Sequence, residues 1–314
     1  MISRTVGDDD DGNMMMFCAS CGNAEGDDIK LKRCNGCYLV RYCSVKCQRD
    51  HRREHKKECK KRAAELRDEI LFRQPDTTHY GDCPICCLPL SIRPEKSVLY
   101  TCCCKIICWG CNYANEERLK EGRLEHTCPF CRHPSGLKSD EEIKINCMKR
   151  VEANDPVAMF QLGTISDNEG DYKRAFDYWS NAAKLGYPGA HNYLAHVYHE
   201  GKGVEKDEKK ELYHFEEAAI GGHPDARYNL AYFEARNGRL DRATKHYIIA
   251  ANQGHNDSLQ LLKENYANGF VTKEDFAAAL RAHQAAVDAT KSPQREEAEA
   301  VRQKLEAARA ARQK

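Results

Sequence analysis

Cysteine spacing constrains this chain more than any other feature of its sequence. Seventeen of its eighteen cysteines lie before position 132, and most of them form C-x2-C pairs. Two thiolates separated by two residues can bind one metal ion without strain, and a tetrahedral zinc ion needs two such pairs or an equivalent set of four ligands. Small secreted domains use many cysteines for disulfides, but this pairing pattern favours metal. We therefore predict that the cysteine-rich part of the chain folds around zinc.

The densest cysteine stretch runs from residue 83 to residue 131. It spans only about 50 residues, too few to bury a sizeable core, so bound metal should supply much of its folding free energy. Its cysteines form three C-x2-C pairs with a cluster between the first and second: Cys83 and Cys86, Cys108 and Cys111, Cys128 and Cys131, and the cluster Cys102-Cys103-Cys104.

This stretch resembles a RING finger, in which alternate ligand pairs bind two zinc ions in a cross-brace. The resemblance implies one ion bound by Cys83, Cys86, Cys108 and Cys111, and another bound by Cys128, Cys131 and two cysteines of the cluster. The family usually has a histidine in the second pair, and this cluster has none. By spacing we favour Cys102 with Cys104, and Cys103 remains an open alternative.

A second cysteine system lies between residues 18 and 59. It offers eight nitrogen or sulfur ligands, enough for two tetrahedral zinc ions: Cys18, Cys21, Cys34, Cys37, Cys43, Cys47, His55 and Cys59. Cys43 and Cys47 are four residues apart, as are His55 and Cys59, so we expect each pair on one helix face. We interpret His51, whose spacing fits less well, as a surface residue.

This second system resembles a MYND-type zinc finger over its whole length, including Tyr42-Cys43-Ser44 and Cys47-Gln48. The resemblance implies that Cys18, Cys21, Cys43 and Cys47 bind one ion, and that Cys34, Cys37, His55 and Cys59 bind the other. MYND fingers generally bind short proline-containing peptides, so such a peptide is an expected partner. Arg52 stands where tryptophan is usual, and we expect an altered peptide groove. Together the two systems predict four zinc ions per chain, two in each finger.

Besides one cysteine of the 102–104 cluster, Cys87 and Cys147 remain outside both ligand sets. Neither has a partner at ligand spacing. A lone cysteine is most often a small, buried apolar residue. We expect that role for both.

The composition changes after about residue 139, where cysteine almost disappears and a period emerges. Ala158, Ala190 and Ala226 are 32 and 36 residues apart. Other positions keep the same register: Leu162, Leu194 and Leu230; Trp179, Phe215 and Tyr247; Ala182-Ala183, Ala218-Ala219 and Ala250-Ala251; and Gly186, Gly222 and Gly254. Such a period indicates helical hairpins that stack and share one core.

These units resemble Sel-one-like repeats, a branch of the tetratricopeptide superfamily, with the best match between Ala190 and Gly222. The resemblance implies a scaffold that binds partner proteins. We expect a fourth, degenerate unit from about Ser258, followed by a helix from Lys273 to about Ala289. The tyrosines and histidines of the region are interpreted as packing and groove residues: Tyr193, His196, Tyr228 and His246.

The predicted fold is mostly α, with two small zinc-stabilised fingers followed by an α-solenoid of stacked helical hairpins. Ser292 and Pro293 should start a last helix as N-cap and first-turn residue, which we expect to be solvated and frayed. The predicted segments are 1–16, a disordered acidic tail; 17–59, a MYND-type finger; 60–78, a helical linker; 79–138, a RING-type finger; 139–290, the helical repeats; and 291–314, the C-terminal helix.

The overall charge and hydropathy give little reason to expect nucleic acid or membrane as a partner. The formal net charge is +1, so there is no global electrostatic attraction to polyanions. Residues 48–73 are basic and helical in pattern, which suits a nucleic-acid patch, but interspersed acidic residues favour a solvated helix. The N-terminus has no signal-peptide pattern, and no apolar run is long enough to span a bilayer. We expect a cytoplasmic or nuclear protein.

The sequence is compatible with two classes of function. No nucleophile–base set, phosphate loop or dinucleotide fingerprint is present, and zinc sets with four protein ligands leave no position for an activated water. The resemblances imply either a RING-type ubiquitin-protein ligase or a non-catalytic scaffold that assembles proteins. Ligase RING fingers usually carry an apolar residue in the first pair, a proline in the last and often a basic residue after it. Ile85, Pro129 and Arg132 stand at these positions and would contact the ubiquitin-conjugating enzyme, which favours the ligase.

Overall fold

The computed structural model describes residues 17–134 and 139–312 of the 314-residue chain. The predicted acidic tail, 1–16, lies outside these residues, as do positions 135–138 at the end of the predicted second finger. The chain divides into two compact units, Met1–Arg73 and Gln74–Lys314.

The first unit is a small finger that continues into a long helix. Strands β1 (Lys32–Arg33) and β2 (Arg41–Tyr42) pair antiparallel, and helices α1 (Val45–Asp50) and α2 (Arg52–Leu71) follow. Ser44 caps α1, because its Oγ accepts a hydrogen bond from the Cys47 N–H at 3.2 Å. Apart from Leu71 at the end of α2, the buried side chains that the structure describes in this unit are Leu31, Tyr42, His55 and cysteines, so little apolar core exists without the thiols.

Helix α2 begins inside the finger and runs well beyond residue 59. Most of its charged side chains are exposed, and some pair along the helix, as Arg62 does with Glu65 at 3.3 Å and Glu69 at 3.0 Å. Acidic partners thus interrupt the basic surface, as expected for a solvated helix.

The second unit begins with a β-hairpin and a helix. A 3-10 turn (Pro94–Lys96) leads into β3 (Ser97–Tyr100), which pairs antiparallel with β4 (Lys105–Cys108), and α3 (Trp109–Glu121) follows at once. The core of this part holds Leu90 and Ile107 among buried cysteines. The predicted cysteine cluster forms the turn between the two strands.

Helices, most of them paired in stacked hairpins, form the remainder of the second unit. Their bounds are α4 Asp140–Glu152, α5 Pro156–Asn168, α6 Tyr172–Lys184, α7 Pro188–Glu200, α8 Glu208–Ile220, α9 Pro224–Arg236, α10 Leu240–Asn252, α11 Asn256–Ala267, α12 Lys273–Ala289 and α13 Pro293–Arg312. The predicted, mostly helical fold is confirmed. The fourth unit is present as α11 and α12, and the second of these helices has the predicted bounds.

The periodic residues form the contacts between hairpins. Small alanines such as Ala182 and Ala218 are fully buried and let helices approach closely. Trp179 is 2% exposed and packs against Leu194 and Val197 of the next hairpin. The aligned glycines follow the second helix of each hairpin with φ of +82° to +89°, a left-handed conformation that glycine adopts without steric cost.

The finger and the repeats of the second unit contact each other directly. Gly222 accepts a hydrogen bond at its carbonyl from the His79 N–H at 3.0 Å, and a Cβ at Gly222 would lie 2.7 Å from the Thr77 carbonyl oxygen. The imidazole rings of His79 and His223 stack with their centroids 4.0 Å apart. The segment before the finger therefore contacts the loop between the second and third hairpins.

The last helix departs from the sequence-based expectation. Ser292 caps α13 as predicted, since its Oγ accepts from the Arg295 N–H at 3.3 Å. However, α13 packs on α3 and buries Ala298 completely. The expectation of a solvated helix is wrong because its contact face consists of small and charged residues, which the apolar pattern did not reveal. Within residues 17–134 and 139–312, every helix is too short or too polar to cross a bilayer.

Candidate metal centres

The first finger brings its eight predicted ligands into two groups of four. Within each group, the ligand atoms lie within 4.8 Å of one another: Cys18, Cys21, Cys43 and Cys47; and Cys34, Cys37, His55 and Cys59. The Sγ atoms of Cys43 and Cys47 are 3.5 Å apart, and those of Cys34 and Cys59 are 3.8 Å apart. Zinc–sulfur bonds of about 2.3 Å give a tetrahedron with edges of about 3.8 Å. Both groups thus fit a tetrahedral zinc ion.

Local structure explains how these ligands converge. The β1–β2 hairpin closes over a turn in which the Cys34 N–H donates to the Val40 carbonyl at 2.8 Å. Helix α2 presents His55 and Cys59 on one face, as expected. The similar expectation for Cys43 and Cys47 is wrong, because α1 begins only at Val45 and Cys43 precedes the cap.

His51 was expected at the surface, and the structure places it beside the second ligand group. The Tyr42 hydroxyl and His51 Nδ1 are 3.1 Å apart, and the His51 ring stacks on His55 at 5.7 Å. Burial and the nearby cysteines, Cys34 first among them, raise the pKa of Tyr42 to about 12. Tyr42 and His51 therefore fix the orientation of the ligand His55. A histidine in the turn before α2 carried no sequence signal for this role.

Backbone groups and neighbouring thiols shift the pKa values of the cysteines in opposite directions. Burial raises the pKa of Cys34, but the Gly36 N–H and His55 more than compensate and lower it to about 6. A hydrogen bond with Cys47 and others with Cys21 and Cys18 raise the pKa of Cys43 to about 12. Clustered thiolates repel one another, so a divalent cation is the natural partner of such a set.

The second finger also brings its cysteines into two groups. The first is the predicted set Cys83, Cys86, Cys108 and Cys111; the second contains Cys102, Cys103, Cys128 and Cys131. The Sγ atoms of Cys86 and Cys108 are 3.8 Å apart, and those of Cys103 and Cys128 are also 3.8 Å apart. If the cluster is counted as the second of four ligand pairs, the first pair meets the third and the second pair meets the fourth. This interleaved order is that of a cross-brace.

The structure departs from the sequence-based choice of Cys104 as a ligand. Cys104 adopts a φ of +52° and lies in an apolar cluster with Cys147 and Leu162 of the repeats. Cys103 takes its place beside Cys128. Spacing alone could not decide this, because consecutive residues of a turn point in different directions. Cys147 is fully buried as predicted, whereas Cys87, expected to be buried, is exposed.

The three residues predicted to contact a conjugating enzyme line one open cleft. Ile85 is 42% exposed, Pro129 is half-buried and Arg132 is exposed. Leu124, after α3, adds a second exposed apolar side chain, and Gln294 of α13 lies at the same cleft. No sequence pattern links Gln294, which is distant along the chain, to this cleft.

Comparison with known proteins identifies part of the chain. The family model of the MYND finger matches residues 18–59. A search of curated proteins gave no match. Similar solved structures include a Sel1 repeat protein from Oxalobacter formigenes, with 22% identity, a TM-score of 0.43, and coverage of 55% of this chain and 70% of that chain.

Two further solved structures are similar to about half of the chain. The protective antigen c5321 of uropathogenic Escherichia coli, which displays an SLR fold, has 24% identity, a TM-score of 0.38, and coverage of 54% of this chain and 36% of that chain. The immunity protein PA5088 from Pseudomonas aeruginosa has 16% identity, a TM-score of 0.30, and coverage of 55% of this chain and 87% of that chain. The family match therefore concerns the N-terminal finger alone: residues 18–59 match the MYND finger.

Proposed function

We propose that the chain is a RING-type ubiquitin-protein ligase whose second finger recruits a ubiquitin-conjugating enzyme. The observation that carries the proposal is the cleft that holds Ile85, Pro129 and Arg132 next to two interleaved cysteine groups. Four zinc ions, one for each ligand group, would hold this surface in shape. Zinc has a structural role here, since each ion would have four protein ligands and no open position.

The reaction would take place on the bound enzyme and not on a residue of this chain. A substrate lysine amine attacks the thioester between ubiquitin and the conjugating enzyme; an isopeptide bond forms and the enzyme's cysteine thiol leaves. Ile85 and Pro129 would supply the apolar contact that recruits the enzyme. The Arg132 guanidinium would hydrogen-bond to the enzyme–ubiquitin conjugate and hold it in a reactive orientation.

The MYND finger and the repeats would select the proteins to be modified. A cavity of about 360 Å³ lies against the second ligand group of the MYND finger and is lined by Tyr42, Val45, Arg52 and Lys56 among others. It suits an extended, proline-containing peptide with an acidic neighbour for the two cations. On the repeats, Tyr213 and Tyr232 are more than half exposed, and such aromatic side chains are favoured at protein interfaces. We place this activity in the cytosol or nucleus.

The proposal is tested by autoubiquitylation of zinc-loaded, full-length protein with a panel of conjugating enzymes. Ile85→Ala removes a central apolar contact, and a loss of about 2 kcal/mol corresponds to roughly 30-fold weaker enzyme binding. Phe130→Ala is the matched control, because Phe130 is 48% exposed, also lies between two ligands, and is not part of the cleft. Its transfer rate should stay at the wild-type level.

Arg132→Ala and Cys128→Ser separate recruitment from structure. Arg132→Ala should keep enzyme binding but lower the rate of transfer. Cys128→Ser should lose zinc, fold and activity together. A scaffold without ligase activity predicts no autoubiquitylation with any enzyme of the panel, and that result would overturn the proposal.

A further inference from the structure

The C-terminal helix α13 is in direct contact with the zinc-binding part of the second finger. Gly110 lies between the ligands Cys108 and Cys111, and a Cβ built on it would be 2.9 Å from the Arg295 Cα. Ala298, one turn further along α13, is completely buried. Only glycine at position 110 permits this approach, so the first turn of α13 lies against the Cys108–Cys111 pair.

One side chain of α13 binds the loop of the first ligand pair. The Arg295 guanidinium donates from Nη2 to the Cys86 Sγ at 3.1 Å and to the Leu88 carbonyl at 3.1 Å. Its Nη1 donates to the Pro89 carbonyl at 2.7 Å and to the Thr290 carbonyl at 2.8 Å. A planar guanidinium can reach several acceptors at fixed angles, whereas an ammonium group offers a single donor centre.

We propose that Arg295 is a positioning residue of the second finger, which holds the Cys83–Cys86 loop in its zinc-binding geometry. The guanidinium fixes the Cys86 Sγ and the two carbonyls that follow it, more than 200 residues away along the chain. A charged donor also withdraws electron density from the thiolate that it contacts, and such hydrogen bonds orient the ligands of a metal ion. Because Ile85 lies in the same loop, α13 also fixes part of the cleft to which a conjugating enzyme would bind.

The first test measures zinc release from the full-length, zinc-loaded protein to a chromogenic chelator. Loss of a hydrogen-bonding partner of a metal ligand typically costs 10–100-fold in metal affinity. We therefore expect Arg295→Met to release one of its zinc ions roughly 10–100-fold faster, while the others leave at the wild-type rate. Lys304→Met is the control, since it also replaces a cationic side chain of α13 by methionine, at an exposed position. Equal release from both variants would overturn the proposal.

Two further variants separate the guanidinium from the docking of the helix. Arg295→Lys keeps the charge but cannot bind all four acceptors, so its zinc release should resemble that of Arg295→Met. Gly110→Ala keeps the guanidinium but pushes its backbone away, and it should also accelerate release. Fast release from Gly110→Ala together with wild-type release from Arg295→Met would assign the effect to helix docking and contradict a role for Arg295.

A spectroscopic readout distinguishes ligand positioning from a general loss of stability. In the cobalt-substituted protein, the thiolate-to-metal charge-transfer band reports the electron density on the ligating sulfur atoms. Removal of the donor to Cys86 should shift this band in Arg295→Met, and Lys304→Met should leave it in place. An unchanged band in folded Arg295→Met would show that the guanidinium does not act on the thiolate.

The effect on the cleft rests on the proposed ligase function and is tested separately. At equal zinc content, Arg295→Met should bind the conjugating enzyme more weakly than Lys304→Met does. If wild-type protein transfers no ubiquitin, the proposed function fails, whereas zinc release still decides the role of Arg295. If transfer occurs and Arg295→Met matches the control, the link between α13 and the cleft is wrong.

Discussion

Trp179 provides the most quantitative test of the repeat register. Its side chain is 2% exposed and packs in a cluster with Met159, Leu194 and Val197 from the helices on either side. A buried tryptophan removes about 150–250 Å² from water, or roughly 4–6 kcal/mol at 25 cal/mol per Å². This area value is an upper bound, because the unfolded chain already buries part of its apolar surface. We expect Trp179→Ala to lower the free energy of unfolding by about 3–5 kcal/mol, as is typical for a buried tryptophan.

Gly163 makes the same prediction testable from the opposite side of the contact. A Cβ on Gly163 would lie 2.5 Å from the Trp179 Cδ1 and Nε1 atoms, so Gly163→Ala overpacks the contact at a cost of about 1–3 kcal/mol. This cost is partly offset by the greater helix propensity of alanine, about 1 kcal/mol. In the Trp179→Ala background the clash is gone, and the added methyl group should stabilise the protein.

Urea unfolding followed by far-UV circular dichroism would measure all four proteins of this cycle at saturating zinc. Neighbouring residues in contact should be strongly non-additive, so Gly163→Ala should change sign between the two backgrounds. A loss below about 1 kcal/mol for Trp179→Ala would mean that the ring is exposed and the register is wrong. The same effect of Gly163→Ala in both backgrounds would refute the predicted contact.

Two further predictions concern metal and pH. Chelation of zinc should unfold residues 18–131, because structural zinc contributes about 10–16 kcal/mol per site. Circular dichroism before and after addition of the chelator should show that most of the helical signal of the repeats remains. Loss of that signal would contradict a separate helical core. Burial lowers the pKa of His246 to about 3, with nearby Arg227 adding to the effect. Below pH 6.5 the unfolded chain therefore binds a proton at His246 that the folded chain excludes, and this residue alone lowers stability by about 1.4 kcal/mol per pH unit between pH 6.5 and 4. His246→Phe should flatten the stability profile by that slope, and identical slopes in urea unfolding would contradict the buried neutral form.

The repeats were predictable because their signal is local and recurs. Each unit carries the same small, large and glycine positions, so Ala182, Trp179 and Gly186 could be assigned before the structure. The start of α13 was equally readable, since the Ser292 cap and Pro293 act within a single turn. Features that depend only on residues within about four positions of each other can be predicted from a single sequence.

The contacts that sequence reasoning missed are distant along the chain or depend on direction. The binding of Arg295 to the Cys86 loop joins residues 209 positions apart, and no periodicity marks such a pair. The choice between Cys103 and Cys104 depends on the left-handed φ of Cys104, which turns one thiol toward the ligands and the next toward the repeats. The role of His51 depends on the ring orientation of its neighbours Tyr42 and His55. These features come from tertiary packing.

Native mass spectrometry of three proteins, which counts the zinc ions that each one carries, is the most direct test of the four predicted metal sites. Wild-type protein should carry four zinc ions, because there are four groups of ligands and, within each group, the ligand atoms lie within 4.8 Å of one another. Cys103→Ser should lose one ion, whereas Cys104→Ser should retain all four and lose only packing against Cys147. Two ions in the wild type, or loss of an ion from Cys104→Ser but not from Cys103→Ser, would contradict the cross-brace on which the proposed function depends.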